Sequence, residues 1–213
     1  MNSINYKNKQ IIPSKIICIG RNYVDHIKEL GNDVPDEMVV FLKPNSAISQ
    51  QLKAFHQEPL HYEAELCFLY QKEDQQPGKF CAVAIGLDLT KRALQAKLKE
   101  KSLPWERAKA FDGAALFSDF VTIENIDESL KLELTIDNKV TQVGGVDLMM
   151  VKPNNILTKL ESFLTLENGD IVMTGTPKGV GEIVAGSLFS GKVITTHNTG
   201  EDDVLVSVKW LAS

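Results

Sequence analysis

Two apolar runs, residues 62–70 (YEAELCFLY) and 80–90 (FCAVAIGLDLT), flank the polar stretch QKEDQQPGK at 71–79. Nothing else in the chain limits its fold as much. Each run has the length and residue types of a strand, and the Pro-Gly-containing stretch between them is a turn. The second run is almost wholly apolar and is read as core. KIICI at 15–19, ending at Gly20, and MVVFLKP at 38–44, closed by Pro44, add two more strands. SLKLELTID at 129–137 alternates with period two, the pattern of a half-exposed strand, and Asn138-Lys139 turn it into a hairpin with 140–143. DIVM at 170–173 and the segment 203–211 complete the set. Helical spacing covers 22–30, which stops at Gly31, then 91–101 and 153–164, while 31–37 and most of 102–120 read as loop. Strands outnumber helices and do not alternate with them regularly. The expected class is therefore α+β and β-dominated, not a doubly wound sheet. No linker divides the chain, so 1–213 is expected to be one domain.

Composition narrows the function classes. With a net charge of −5 and its lysines scattered, the chain has no basic footprint for nucleic acid. No apolar run reaches the length of a membrane span, and MNSINYKNKQ has no signal-peptide core. The cysteines, Cys18, Cys67 and Cys81, lie in apolar runs without CxxC spacing, as buried small hydrophobes of a reducing compartment do. The expectation is a cytoplasmic enzyme or binding protein.

Carboxylates interrupt both of the opening runs. Glu63 and Glu65 stand two apart on a strand and so share a face, with Cβ atoms roughly 6–7 Å apart. Cys67 and Leu69 continue that face, which puts the two acids at the rim of a buried surface. Like charges there repel, so one is protonated or a cation lies between them. Asp88 ends the second run, after the small residues Ala82, Ala84 and Gly86, which leave room for a ligand. Three strand carboxylates suit a hard dication, Mg²⁺ or Mn²⁺ rather than Zn²⁺. Spacing alone also allows a solvated strand face and a turn cap. His26 and Glu29 are three apart on a helix and can meet, as a water-activating pair or as a surface contact. Lys109, in a loop rich in apolar residues, holds an oxyanion or merely snorkels. TGTPKGVG at 174–181 lacks the phosphate-loop pattern and is a glycine-rich turn that can bring Thr176 to a ligand.

Together these blocks resemble the fumarylacetoacetate hydrolase family, in its short acylpyruvase and oxaloacetate decarboxylase branch. The matching stretches, in order, are GRNYVDHIKEL, FLKP, HYEAEL, GLDLT with KRALQ, LPWERAKAFD and ENGDIVMTGTPKGVG, from about residue 16 to about 181. The resemblance implies a mixed β-sandwich roll with peripheral helices, commonly a homodimer. It implies Mg²⁺ or Mn²⁺ on Glu63, Glu65 and Asp88, and a His26–Glu29 dyad on a lid helix. Lys109 would join the dyad in catalysis, and Arg21, Arg92, Gln95 and Thr176 would surround a bound 2-oxo acid. The implied reaction is C–C hydrolysis of acylpyruvate-like 2,4-diketo acids through a metal-stabilised enolate. Oxaloacetate decarboxylation, isomerisation of a 2-hydroxyhepta-2,4-diene-1,7-dioate type of acid, and non-catalytic binding of a 2-oxo acid are the alternatives. The chain departs from the family pattern at His61, where Asp is common, and at Ala93, where an acid is common. In QVGGVDLMMV it keeps Gln142, Gly144 and Met149 and loses the usual Thr and Ile-Phe pair.

Overall fold

The computed structural model describes residues 1–31, 33–196 and 202–213. Its centre is a seven-stranded mixed sheet. Across it run Val121–Thr122, Lys79–Asp88, Ala64–Gln71, Ile171–Met173, Lys15–Gly20 and Val39–Pro44, with Ala115–Phe117 paired to the last residues of Lys79–Asp88. Ile171–Met173 is parallel to Lys15–Gly20, and the other pairings are antiparallel. A second, antiparallel sheet is ordered Lys139–Gly145, Leu130–Ile136, Leu188–Thr196 and Asp202–Leu211.

The two sheets face each other across one core. Leu66, Phe68, Val83 and Ile85 of the central sheet meet Leu132, Leu134, Phe189 and Val193 of the second. The other face of the central sheet is also buried, in a cluster that includes Cys18, Cys67, Leu69, Ala84 and Met173. Burial on both faces explains why 62–70 and 80–90 are nearly continuous apolar runs rather than alternating ones. A bulge between Leu69 and Tyr70 puts Phe80 and Val83, three apart, on the same face. The result is the β-dominated sandwich roll expected, with four helices among the described residues. They are α1 (Val24–Glu29), α2 (Arg92–Glu100), α3 (Glu106–Lys109) and α4 (Pro153–Glu161). None is long and apolar enough to cross a membrane.

Several elements differ from expectation, each for a local reason. The helix read at 22–30 starts only at Val24. Asn22 is withheld from it, because its side chain binds Val151 and the Thr174 carbonyl, and Arg21 before it takes a left-handed φ of 55°. The strand read at 62–70 is two strands, Leu60–Tyr62 and Ala64–Gln71, with Glu63 at the break. The 129–137 hairpin turns at Asp137-Asn138, both at positive φ, one residue earlier than expected. Within 102–120, read mostly as loop, lie α3 and Ala115–Phe117. Leu188–Thr196 and the hairpin Ile4–Tyr6/Lys9–Ile11 were not foreseen, since Gly191, Lys192 and the polar Lys9-Gln10 blur their periodicity. In the 31–37 loop, Asn32 lies outside the described residues.

Candidate active site

One antiparallel register sets the floor of the site. Leu60 pairs with Lys91, His61 with Thr90, Ala64 with Leu87 and Glu65 with Gly86. The break at Glu63 does not shift that register, because the Asp88 amide donates to the Glu63 carbonyl at 2.8 Å. Side chains directly opposite in such a ladder share a face. His61, Glu63, Glu65, Asp88 and Thr90 therefore fall on one side, and Leu60, Tyr62, Ala64, Leu87 and Leu89 on the side of the main core. The carboxylate oxygens of Glu63, Glu65 and Asp88 converge within 4.8 Å of one another, and all three residues are buried. The small residues before Asp88 serve packing rather than a ligand: a Cβ on Gly86 would come within 2.7 Å of the Cys67 sulfur and 2.8 Å of Phe117.

Three cations answer these acids. Lys109 Nζ donates to Glu63 Oε2 (2.9 Å), Asp88 Oδ2 (2.7 Å) and Thr90 Oγ1 (2.6 Å). Its three donors are thus all spent on the floor. Arg92 pairs with Glu63 through Nη2 and donates to Gln95 Oε1 through Nη1 at 2.8 Å. The third is Lys43, a residue that sequence reasoning did not single out. It is wholly buried, donates to the Lys109 carbonyl, and sits 2.7 Å from Asp88 Oδ1 as an ion pair without hydrogen-bond alignment. Its one sequence signal is a lysine inside the apolar run VVFLKP.

The electrostatics of the two glutamates diverge. Burial acts to raise Glu63, but Lys109 and Arg92 outweigh it and hold its carboxyl well below the usual range. Glu65 is pushed well above that range by burial and by Asp88 and Glu63, with Lys109 and the Gly175 amide (2.7 Å) only partly offsetting them. Burial would lower Lys109, yet Asp88 and Glu63 raise it, so it is an ammonium. An all-oxygen donor set, buried, convergent and already met by an ammonium, fits a hard dication. Among the described residues no cationic side chain pairs directly with Glu65, which makes it the acid with most to gain from a dication.

The remaining expected residues surround the same space. His26 Nδ1 lies 3.0 Å from Glu29 Oε2, and Glu29 Oε1 accepts the Gly179 amide at 2.9 Å, so α1 is tied down onto the 174–181 loop. Thr176 Oγ1 donates to the Ala64 carbonyl at 2.8 Å. Gln142 reaches across from the second sheet, accepting the Ala64 amide and donating to Thr176 Oγ1 and the Pro177 carbonyl. It thereby fixes the backbone on the far side of the Glu63 break. Arg21, His26, Arg92, Gln95, Lys109 and Thr176 line one cavity with the three acids, and Glu29 joins it through His26. That cavity holds about 450 Å³ of empty space, its open mouth included, and is also lined by Lys99, Trp105 and Phe41, which the sequence reading passed over.

Known proteins are similar to this chain in sequence and in fold. The family model for the fumarylacetoacetate (FAA) hydrolase C-terminal domain matches residues 15–204. An oxaloacetate tautomerase from Escherichia coli is 36% identical over 201 residues, covering 86% of this chain and 92% of that protein. A mitochondrial oxaloacetate decarboxylase from Dictyostelium discoideum is 34% identical over 205 residues, covering 90% and 94%. Among solved structures, fumarylpyruvate hydrolase from Pseudomonas aeruginosa in complex with Mn²⁺ and pyruvate superimposes with a TM-score of 0.81, at 27% identity over 99% of this chain and 95% of that one. The chain belongs to the fumarylacetoacetate hydrolase family.

Proposed function

We propose that this protein interconverts keto and enol forms of a short 2-oxo acid of the oxaloacetate type. The observation that carries the reading is the 36% identity, along most of both chains, to an oxaloacetate tautomerase. The site's chemistry supports it. Tautomerisation takes a proton from the carbon next to the ketone and places one on the ketone oxygen, with negative charge passing through the enolate. Glu63, Glu65 and Asp88 would hold Mg²⁺ or Mn²⁺, which supplies a Lewis acid against that charge. Arg92, Gln95 and Thr176 orient the acid over the floor. With Nδ1 held by Glu29, His26 has Nε2 left to exchange a proton with the ligand, and Glu29 stabilises the imidazolium that results. Lys109 keeps Glu63 ionised and holds both Glu63 and Asp88 in place.

The test follows the enol absorbance of freshly dissolved oxaloacetate with the Mn²⁺-loaded protein. Enol loss should outpace buffer with Mn²⁺, and His26→Ala should cut the rate roughly 10²–10⁴-fold. Decay no faster than buffer would refute the reading. Decarboxylation, the reaction named for the Dictyostelium relative, is scored in the same experiment by pyruvate release.

A second reading is hydrolysis of acylpyruvate-like 2,4-diketo acids. The His26–Glu29 pair supports it, since hydrolysis needs a base to deliver water, and so does the fold of the fumarylpyruvate hydrolase. Turnover of an acylpyruvate panel decides it. Oxalate binding without turnover of any of these acids would leave a binding protein. A cytoplasmic homodimer is part of the same proposal, and sedimentation at equilibrium measures the dimer.

A further inference from the structure

α2 turns one face to the cavity. Arg92, Gln95 and Lys99 are three and four residues apart on it, and all three line the space above the acids. Arg92 and Gln95 are engaged with each other and with Glu63. Lys99 lies two turns on, about 10 Å along the helix axis, and among the described residues it has no acidic partner. Its Nζ stands 5.0 Å over the Trp105 ring, a cation–π contact. Trp105 is itself set by Phe41, 5.9 Å away, and by its approach to Gly20, the residue before Arg21. The ammonium is thus held at the cavity mouth by an aromatic face, which leaves its donors free for a ligand.

We propose that Lys99 takes the distal carboxylate of a 2-oxo dicarboxylic acid whose 2-oxo-acid end lies over Glu63, Glu65 and Asp88. This rests on the 2-oxo-acid reading of the site and adds which acids it selects. The charge balance agrees. Burial is the largest influence on Lys99, and Arg21 and Arg92, both repulsive, come next; together the three pull it down to about 8. Glu63 offsets this only in part. A half-buried cation among cations is only partly compensated in the free protein, and an anion at the mouth is what relieves it. On the floor Glu63 and Asp88 are already paired with Lys109, Lys43 and Arg92, so a second carboxylate meets Lys99 without competing for those cations. A monocarboxylate such as pyruvate has nothing to place there.

The experiment compares the Mn²⁺-loaded wild type with Lys99→Met and Lys99→Arg. It measures dissociation constants for pyruvate and for 2-oxoglutarate by calorimetry, and kcat/KM on oxaloacetate. Lys99→Met should weaken the dicarboxylate roughly ten- to a hundredfold, the loss of one charge-assisted contact. Pyruvate should stay within about twofold, and Lys99→Arg should restore most of the dicarboxylate affinity. Equal losses for both acids, or none for either, would overturn the role of Lys99 while leaving the 2-oxo-acid reading intact. A wild type that binds neither acid would overturn both.

Discussion

At the scale of one residue, Glu65 is the acid of the cluster with no ion-paired cation among the described residues. It is buried, faces two other acids and, among the described residues, has only a backbone amide hydrogen-bonded to its carboxylate. Its folded pKa is raised, so without a cation the native protein holds a proton that the unfolded chain has released. Its contribution is then present below the usual carboxylate value and is lost as pH climbs through the raised one. Glu63 has the opposite sign: its lowered pKa adds stability above the usual value, and this is lost as pH falls. A dication must displace the Glu65 proton. Metal affinity is therefore expected to rise with pH, with proton release on binding. Calorimetry in two buffers of different ionisation enthalpy measures that release; identical heats, with no dependence of affinity on pH, would refute it. Lys43 gives a second prediction. Lys43→Met leaves Asp88 with one buried cation fewer and should cost about 3–5 kcal/mol, the usual result of stripping one partner from a buried pair. The urea midpoint measures it, and a change under about 1 kcal/mol would show that Lys109 suffices. Sequence reasoning reached Glu63, Glu65 and Asp88 through strand spacing and the family blocks. It missed Lys43 because nothing local distinguishes a buried lysine from a snorkelling one.

α1 and the 174–181 loop act as a unit at the scale of elements. A six-residue helix is too short to be stable by itself. Its position depends on Tyr23 bonding the Gly145 carbonyl, Asn22 bonding Val151 and Thr174, and Glu29 accepting the Gly179 amide. Gly179 has φ 101°, and a Cβ there would lie 2.2 Å from the Thr141 carbonyl oxygen. Gly179→Ala should therefore cost about 1–3 kcal/mol or more and should loosen α1. The readout is faster amide exchange across 24–29 together with lower activity; unchanged exchange would mean that the Glu29 tie does not hold the helix. By contrast, Lys178 and Asp25 form an exposed pair at 3.5 Å, and Lys178→Ala should change stability by no more than about 0.5 kcal/mol. Helix spacing and Gly31 made α1 legible in the sequence. The start at Val24 was not legible, because it depends on what Asn22 bonds far along the chain.

The two sheets are stapled by Gln142 at the scale of the molecule. It leaves the Lys139–Gly145 strand to satisfy the Ala64 amide beside the Glu63 break, and it holds Thr176 and Pro177 from the opposite side. Gln142→Ala would strand buried polar groups on both. The expected cost is about 1–3 kcal/mol per unsatisfied group, with a fall in kcat as Thr176 drifts. Thermal unfolding and steady-state rates test this together; lost stability with normal kcat would make Gln142 structural only.

The sequence by itself determined the apolar strand runs, the shared face of Glu63 and Glu65, the glycine-rich loop and the ordered family blocks. All of these are local, set by backbone geometry over a few residues. The tertiary structure decided what the local pattern does not contain. It set the continuous register that aligns Asp88 with Glu63 across the break. It brought in Lys43 from a separate strand, Gln142 from the other sheet and Lys99 on the far turn of α2. It also made Ala82, Ala84 and Gly86 packing residues instead of a ligand wall. Which charges meet in the interior depends on sheet order and crossover, and those follow from burying both faces of the central sheet at once.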